Sequence, residues 1–95
     1  MKRFALALSL ALAAALPAQA ACYADYKAKR DNPLRLQYGV IELPDSACGS
    51  TAAAEAEARP RLAAGGWELL NVVGIFGEEG LEQRRDSAGD FFLRF

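Results

Sequence analysis

An apolar run near the start, Phe4 to Leu16, sets the first residues of this chain apart from the rest. The run holds no charge, is built almost wholly of alanine and leucine, and follows the basic pair Lys2-Arg3. Its 13 residues fall short of the roughly 20 that a membrane-spanning helix needs. Pro17 interrupts it, and Ala18-Gln19-Ala20 places small residues where a signal peptidase requires them. Residues 1–20 therefore read as a secretory signal peptide cut between Ala20 and Ala21. A lipoprotein leader, cut before Cys22, would want an apolar residue where Gln19 stands. The expectation is an exported protein, periplasmic or secreted, whose residues 21–95 form a single small α+β domain.

That part has 75 residues, of which 21 are Leu, Ile, Val, Phe, Tyr or Trp. Such a supply permits one small core. Losing Lys2 and Arg3 takes the formal net charge from −1 to −3. A weakly acidic chain lacks the basic footprint of a nucleic-acid binder. Arg84-Arg85 is an adjacent basic pair after the leader, and with Asp86 behind it the expectation is a solvated turn. After the leader no stretch approaches membrane-spanning length, so the mature form is expected to have no membrane partner.

Cys22 and Cys48 are the only cysteines. In a small exported domain an even count favours a disulfide, and two cysteines admit one pairing. A spacing of 26 does not resemble a Cys-x-x-Cys redox unit, and two thiols without a histidine make a poor zinc set. The bridge restricts the path. Cys22 precedes and Cys48 follows the strand expected over Leu34–Leu43, whose length is about 33 Å. Either Tyr23–Pro33 runs back along that strand, with Asp31-Asn32-Pro33 as the turn, or residues 44–48 curl back. Tyr23 and Tyr26 are then expected to cover one edge of the core.

Within Leu34–Leu43, Leu34, Leu36, Tyr38 and Val40 share a face while Ile41 and Leu43 point the other way, so the far end reads as buried on both sides. Residues 50–64 are alanine-rich and helical, with Ser50 or Thr51 as the N-cap. Glu55/Arg59 and Glu57/Arg61 are i,i+4 pairs in the favourable order, and Ala54, Ala58 and Leu62 form a thin buried stripe. Pro60 removes an amide donor, so a kink near Ala58–Arg59 or two short helices are expected. Gly65-Gly66 ends the helix. Trp67–Phe76 reads as a strand with Trp67, Leu69, Val73 and Ile75 on one face and Leu70, Val72 and Phe76 on the other. Gly77–Gly89 reads as a long turn or frayed hairpin, and Phe91–Phe95 as a final strand. The expected fold is a three- to four-stranded sheet with one kinked helix on one face. One helix cannot cover both faces, which leaves either the N-terminal segment or a partner to cover the second.

The segment Arg61-Leu-Ala-Ala-Gly-Gly-Trp-Glu-Leu-Leu-Asn-Val-Val73 resembles the family called domain of unknown function 4177. That family pairs an opening strand like Tyr38–Leu43 with a short helix, a Gly-Trp-Glu-Leu entry into a second strand, and an aromatic closing strand like Phe91–Phe95. The likeness spans about residues 36–95. It implies that Gly66 makes the helix exit, that Trp67 and Leu69 enter the core, and that Glu68 faces out. It implies no activity, and the leader, the two cysteines and Pro60 depart from the pattern.

Histidine is absent, which removes the commonest general base and metal ligand. Ser46, Ser50 and Thr51 have no base beside them and read as loop and cap residues. Glu78, Glu79, Glu82, Asp86 and Asp90 crowd one segment without the order of a calcium-binding loop. Gly74-Ile-Phe-Gly77 lacks what a phosphate cradle requires. No catalytic, metal or cofactor residue is assigned. The expected function is a non-catalytic periplasmic binding or protein-interaction module, acting on an unknown protein partner or by self-association through a sheet face. The alternatives are a secreted hydrolase inhibitor, or a small ligand carrier or enzyme using the acidic 77–90 loop and the Trp67 region.

Overall fold

The computed structural model describes residues 21–95. The expected leader, residues 1–20, lies outside the described residues, and the expected cut after Ala20 with it. Three strands form one antiparallel sheet: β1 (Cys22–Arg30), β2 (Arg35–Leu43) and β3 (Glu68–Phe76), in the order β2-β1-β3. Between β2 and β3 the chain forms helix α1 (Thr51–Ala64), and after β3 a second helix, α2 (Glu82–Ala88). The architecture is α+β.

β1 runs back along the whole of β2, from Cys22 opposite Leu43 to Arg30 opposite Arg35. A 3₁₀ turn at Asp45–Ala47 then returns the chain to the end of β1. Cys22 and Cys48 meet there in a disulfide, with Cα atoms 6.1 Å apart. The N-terminal segment thus runs back along the strand, the first of the two expected paths, but as the central strand rather than as a cover on one edge of the core. Its strand signal is weak because alanine and lysine are poor strand formers. Its alternation is nonetheless clean: Cys22, Ala24, Tyr26 and Ala28 lie in one core cluster, and Tyr23 in another on the opposite face.

α1 packs on the first face. Ser50 Oγ accepts from the Ala53 amide at 3.0 Å and caps it. Ala54, Ala58 and Leu62 are its buried stripe. They belong to the same core cluster as Ala24 and Ala28 of β1, and the helix lies nearest β3. One helix runs from Thr51 to Ala64 with Pro60 inside it, so the break into two helices does not occur. Gly66, at φ 85°, takes the left-handed conformation that turns the chain out of the helix.

β3 departs from strict alternation. Asp25 and Tyr26 of β1 stand opposite Gly74 and Val72, and Lys27 and Ala28 stand opposite Asn71 and Leu69. One extra residue is thus inserted at Val73 and another at Leu70. Each bulge reverses the side-chain phase. The face against α1 is Leu69, Val72 and Ile75, in place of the expected Leu69, Val73 and Ile75. Val73 is left 51% exposed.

The expected closing strand and the long 77–90 turn are both corrected. Glu78–Gly80 is a 3₁₀ turn, α2 follows, and Gly89–Phe91 is another 3₁₀ turn. Only Phe92 bridges to β2, in parallel with Val40. Leu93 sits at φ 57°, which ends the extended run. Phe91 and Phe95 stack on the α1 side while Phe92 packs on the opposite face, so this segment wraps the β2 edge. No helix among the described residues is long and apolar enough to cross a membrane.

Candidate functional site: the open half of the second sheet face

The sheet face opposite α1 is covered over only part of its length. Tyr23, Val40 and Phe76 pack there with Leu81, Ala88 and Phe92 of the α2 segment. A polar contact holds the cover down. Asp25, on the central strand and 5% exposed, accepts through Oδ2 from Tyr38 Oη at 2.8 Å and from Arg84 Nε at 3.1 Å. Arg84 also donates to Gly80 O at 2.8 Å and lies over the Phe76 ring. The Arg84-Arg85 pair is therefore not a solvated turn. Arg84 is an anchor, and Arg85 pairs with Glu82 and covers Phe92. Burial, and next the hydrogen bond to Asp25, push the Tyr38 phenol up to about 12.

Towards the β1–β2 turn the same face is open. Leu36 of β2 is 71% exposed, Leu70 of β3 46%, and Leu34, in the turn, 64%. Leu36, Tyr38 and Leu70 line a shallow groove of about 280 Å³ with Lys27. In register, Lys27 faces Tyr38 on one side and Asn71 on the other. The groove thus has apolar walls from the outer strands and a cation on its central strand. Among the described residues Lys27 has no ion-pair partner, whereas Lys29 reaches Asp31 at 3.4 Å.

The sheet edges are guarded unequally. Along β3, Glu55 Oε2 accepts from the Val72 amide at 3.0 Å and Arg59 Nη1 donates to Leu69 O at 3.3 Å. These side chains, expected to pair with each other, bind the strand edge instead, while Glu57 and Arg61 do pair at 3.1 Å. Along β2, Leu93 donates to Val40 O and Arg61 to Glu42 O, both at 2.9 Å. Nearer the turn, Leu36 and Tyr38 carry no backbone partner on that side among the described residues.

The residues singled out from the sequence fall elsewhere. Gly66 is the helix exit, Trp67 and Leu69 are buried, and Glu68 is exposed. A groove of about 450 Å³ runs past Trp67, bounded by Lys29, Arg30, Arg59 and Glu68. The indole already carries the Arg30 guanidinium 4.2 Å from its centroid and the Phe91 ring in an edge contact. The indole is thus already engaged by the protein itself. The acidic residues of 78–90 form no group of three or more metal-binding side chains among the described residues. The open face escaped sequence reading because strict alternation put Leu70 with Val72 and Val73 with Leu69. Leucines repeated on one face of two strands were the signal available.

The chain matches no family model, and neither the curated proteins nor the solved structures give a match.

Proposed function

We propose that this chain is an exported, non-catalytic interaction module that binds a protein partner on the open half of its second sheet face. The observation that carries the reading is the pair of large apolar side chains, Leu36 and Leu70, left in solvent beside Lys27. Fully covering one such leucine is worth about 1.5–3 kcal/mol, so a contiguous patch of them marks a surface meant to be covered. Charge selects the kind of cover. A two-fold contact of this face with itself would bring the two unpaired Lys27 charges into one patch, which disfavours a second copy of the chain. A partner with apolar side chains flanked by carboxylates fits both the leucines and the lysine.

Export belongs to the same proposal. The leader pattern motivates it, and the Cys22–Cys48 bridge is the chemistry of an oxidising compartment. Kinship with the domain of unknown function 4177 family is likewise proposed, on the order of strand, helix, Gly-Trp-Glu-Leu entry and strand. The inhibitor reading needs a protruding 77–90 loop, and that segment instead lies down on the sheet.

The test is capture from the periplasm by the exported chain, compared with Leu36→Lys and Leu70→Lys. Both substitutions should abolish capture of the partner while leaving the circular-dichroism spectrum unchanged. Charge reversal at Glu82 or Asp86 on α2 should leave capture intact. Capture that survives both leucine substitutions would refute the face reading. Concentration-dependent dimerisation removed by Leu36→Lys would replace the partner with a second copy.

A further inference from the structure

We infer that the partner docks as an added strand on the free stretch of the β2 edge, an extended segment that alternates apolar residues with acidic ones. The inference rests on the face reading above and specifies its mode of binding. Leu93 donates to Val40 O, so the backbone groups of Val40 point away from β1. In an antiparallel pair alternate residues share that direction. The N–H and C=O groups of Tyr38 and Leu36 therefore point outward as well. They have no partner among the described residues, whereas β3 and the far end of β2 have theirs from Glu55, Arg59, Arg61 and Leu93. Folded proteins guard exposed edges, and side chains or the C-terminal segment do so here at Leu69 O, Val72 N–H, Val40 O and Glu42 O, but not beside the exposed leucines.

The side chains along that edge define the segment. Leu36 and Tyr38 lie on the open face, so alternate residues of an added strand would fall beside them and should be apolar. Arg35 projects to the opposite face, is exposed, and has no ion pair among the described residues. The intervening residues of the added strand fall on its side and should be carboxylates. One residue of this chain already pairs with the same edge: Phe92 bridges to Val40 in parallel.

The probe is a short capped peptide alternating valine with glutamate, titrated into the isotope-labelled, disulfide-bonded protein prepared by secretion of the full chain. The Leu36 and Tyr38 amide signals should shift, and their exchange with solvent should slow by about tenfold or more as they enter hydrogen bonds. Arg35→Glu should weaken binding by about tenfold. A peptide N-methylated along one edge, or one with lysine in place of glutamate, should not bind. Unchanged exchange at Leu36 and Tyr38 up to the solubility limit of the peptide would overturn the inference, as would equal binding by the N-methylated peptide. Arg35-dependent sedimentation with phosphatidylglycerol vesicles would overturn it in favour of a lipid surface. If the amides fail to respond while Leu36→Lys and Leu70→Lys still abolish capture, the edge mode fails and the face reading stands. If capture survives those substitutions, the face reading itself has failed.

Discussion

The Arg84 guanidinium has three neighbours at once: Asp25 Oδ2 at 3.1 Å, Gly80 O at 2.8 Å, and the Phe76 ring, whose centroid is 3.9 Å away. It ties α2 to the central strand and neutralises the one carboxylate buried in the sheet. Removing one partner of a buried pair leaves the other charge uncompensated, at a cost of about 3–5 kcal/mol. Arg84→Ala should therefore lower the unfolding free energy by about 3 kcal/mol. Tyr38→Phe, which removes one hydrogen bond to the same carboxylate, should lower it by about 1–2 kcal/mol. Urea unfolding followed by circular dichroism checks both, and equal small losses would contradict the ranking. On the other face Tyr26 donates to Gln37 Oε1 and lies flat against Gly39, where a Cβ would come within 2.6 Å of Tyr26 Cζ. A glycine is required there by close approach rather than by backbone conformation. Burial pushes the Tyr26 phenol up to about 12, as burial and the Asp25 hydrogen bond do for Tyr38. A folded-state value raised above the unfolded one, about 10, means that folding favours the neutral phenol. Stability is complete below about pH 10 and falls as pH rises towards 12. The slope of stability against pH in that window should be shallower in Tyr26→Phe and Tyr38→Phe, measured by denaturation at each pH.

At the scale of elements, β3 shows how a regular pattern misleads. Period-two reading of Trp67–Phe76 pairs Leu69 with Val73, yet two bulges bring Leu69, Val72 and Ile75 under α1. The distinction can be tested with two adjacent residues of one type. Val72→Lys should prevent folding, because it places an unpaired charge in the core. Val73→Lys should change stability by no more than about 0.5 kcal/mol, as expected of an exposed position. Strict alternation requires a different pairing of buried and exposed positions, with Val73 grouped with Leu69. α1 was more legible. Its cap at Ser50, its stripe of Ala54, Ala58 and Leu62, and its stop at Gly65-Gly66 all follow from local chemistry. α2 was not, although Leu81, Arg84 and Ala88 recur at helical spacing. Two of its anchors are small or charged, and the segment acquires its buried side only by meeting Asp25, Val40 and Phe76.

For the molecule as a whole, the Cys22–Cys48 bridge closes a loop of separation 26 around β1, β2 and the turn after them. In the chain-entropy model that closure is worth about 3–4 kcal/mol, a large fraction of what so small a domain can have. Replacing both cysteines with serine should lower the unfolding free energy by about that amount, read from the urea midpoint. A loss well below 1 kcal/mol would show that the bridge is incidental to the fold. The pairing was legible because two cysteines allow one choice, and the α+β class because one strong helix lies between two strong apolar runs. The site was not, because an exposed leucine is informative only in relation to its neighbours. By itself the sequence determined what depends on neighbours along the chain: the α1 limits, the tight turns and the single possible disulfide. Only the tertiary structure decided which strand is central, where β3 shifts phase and which half of the second face stays open. These are contests between distant segments, decided by register and close packing, and no local preference encodes their outcome.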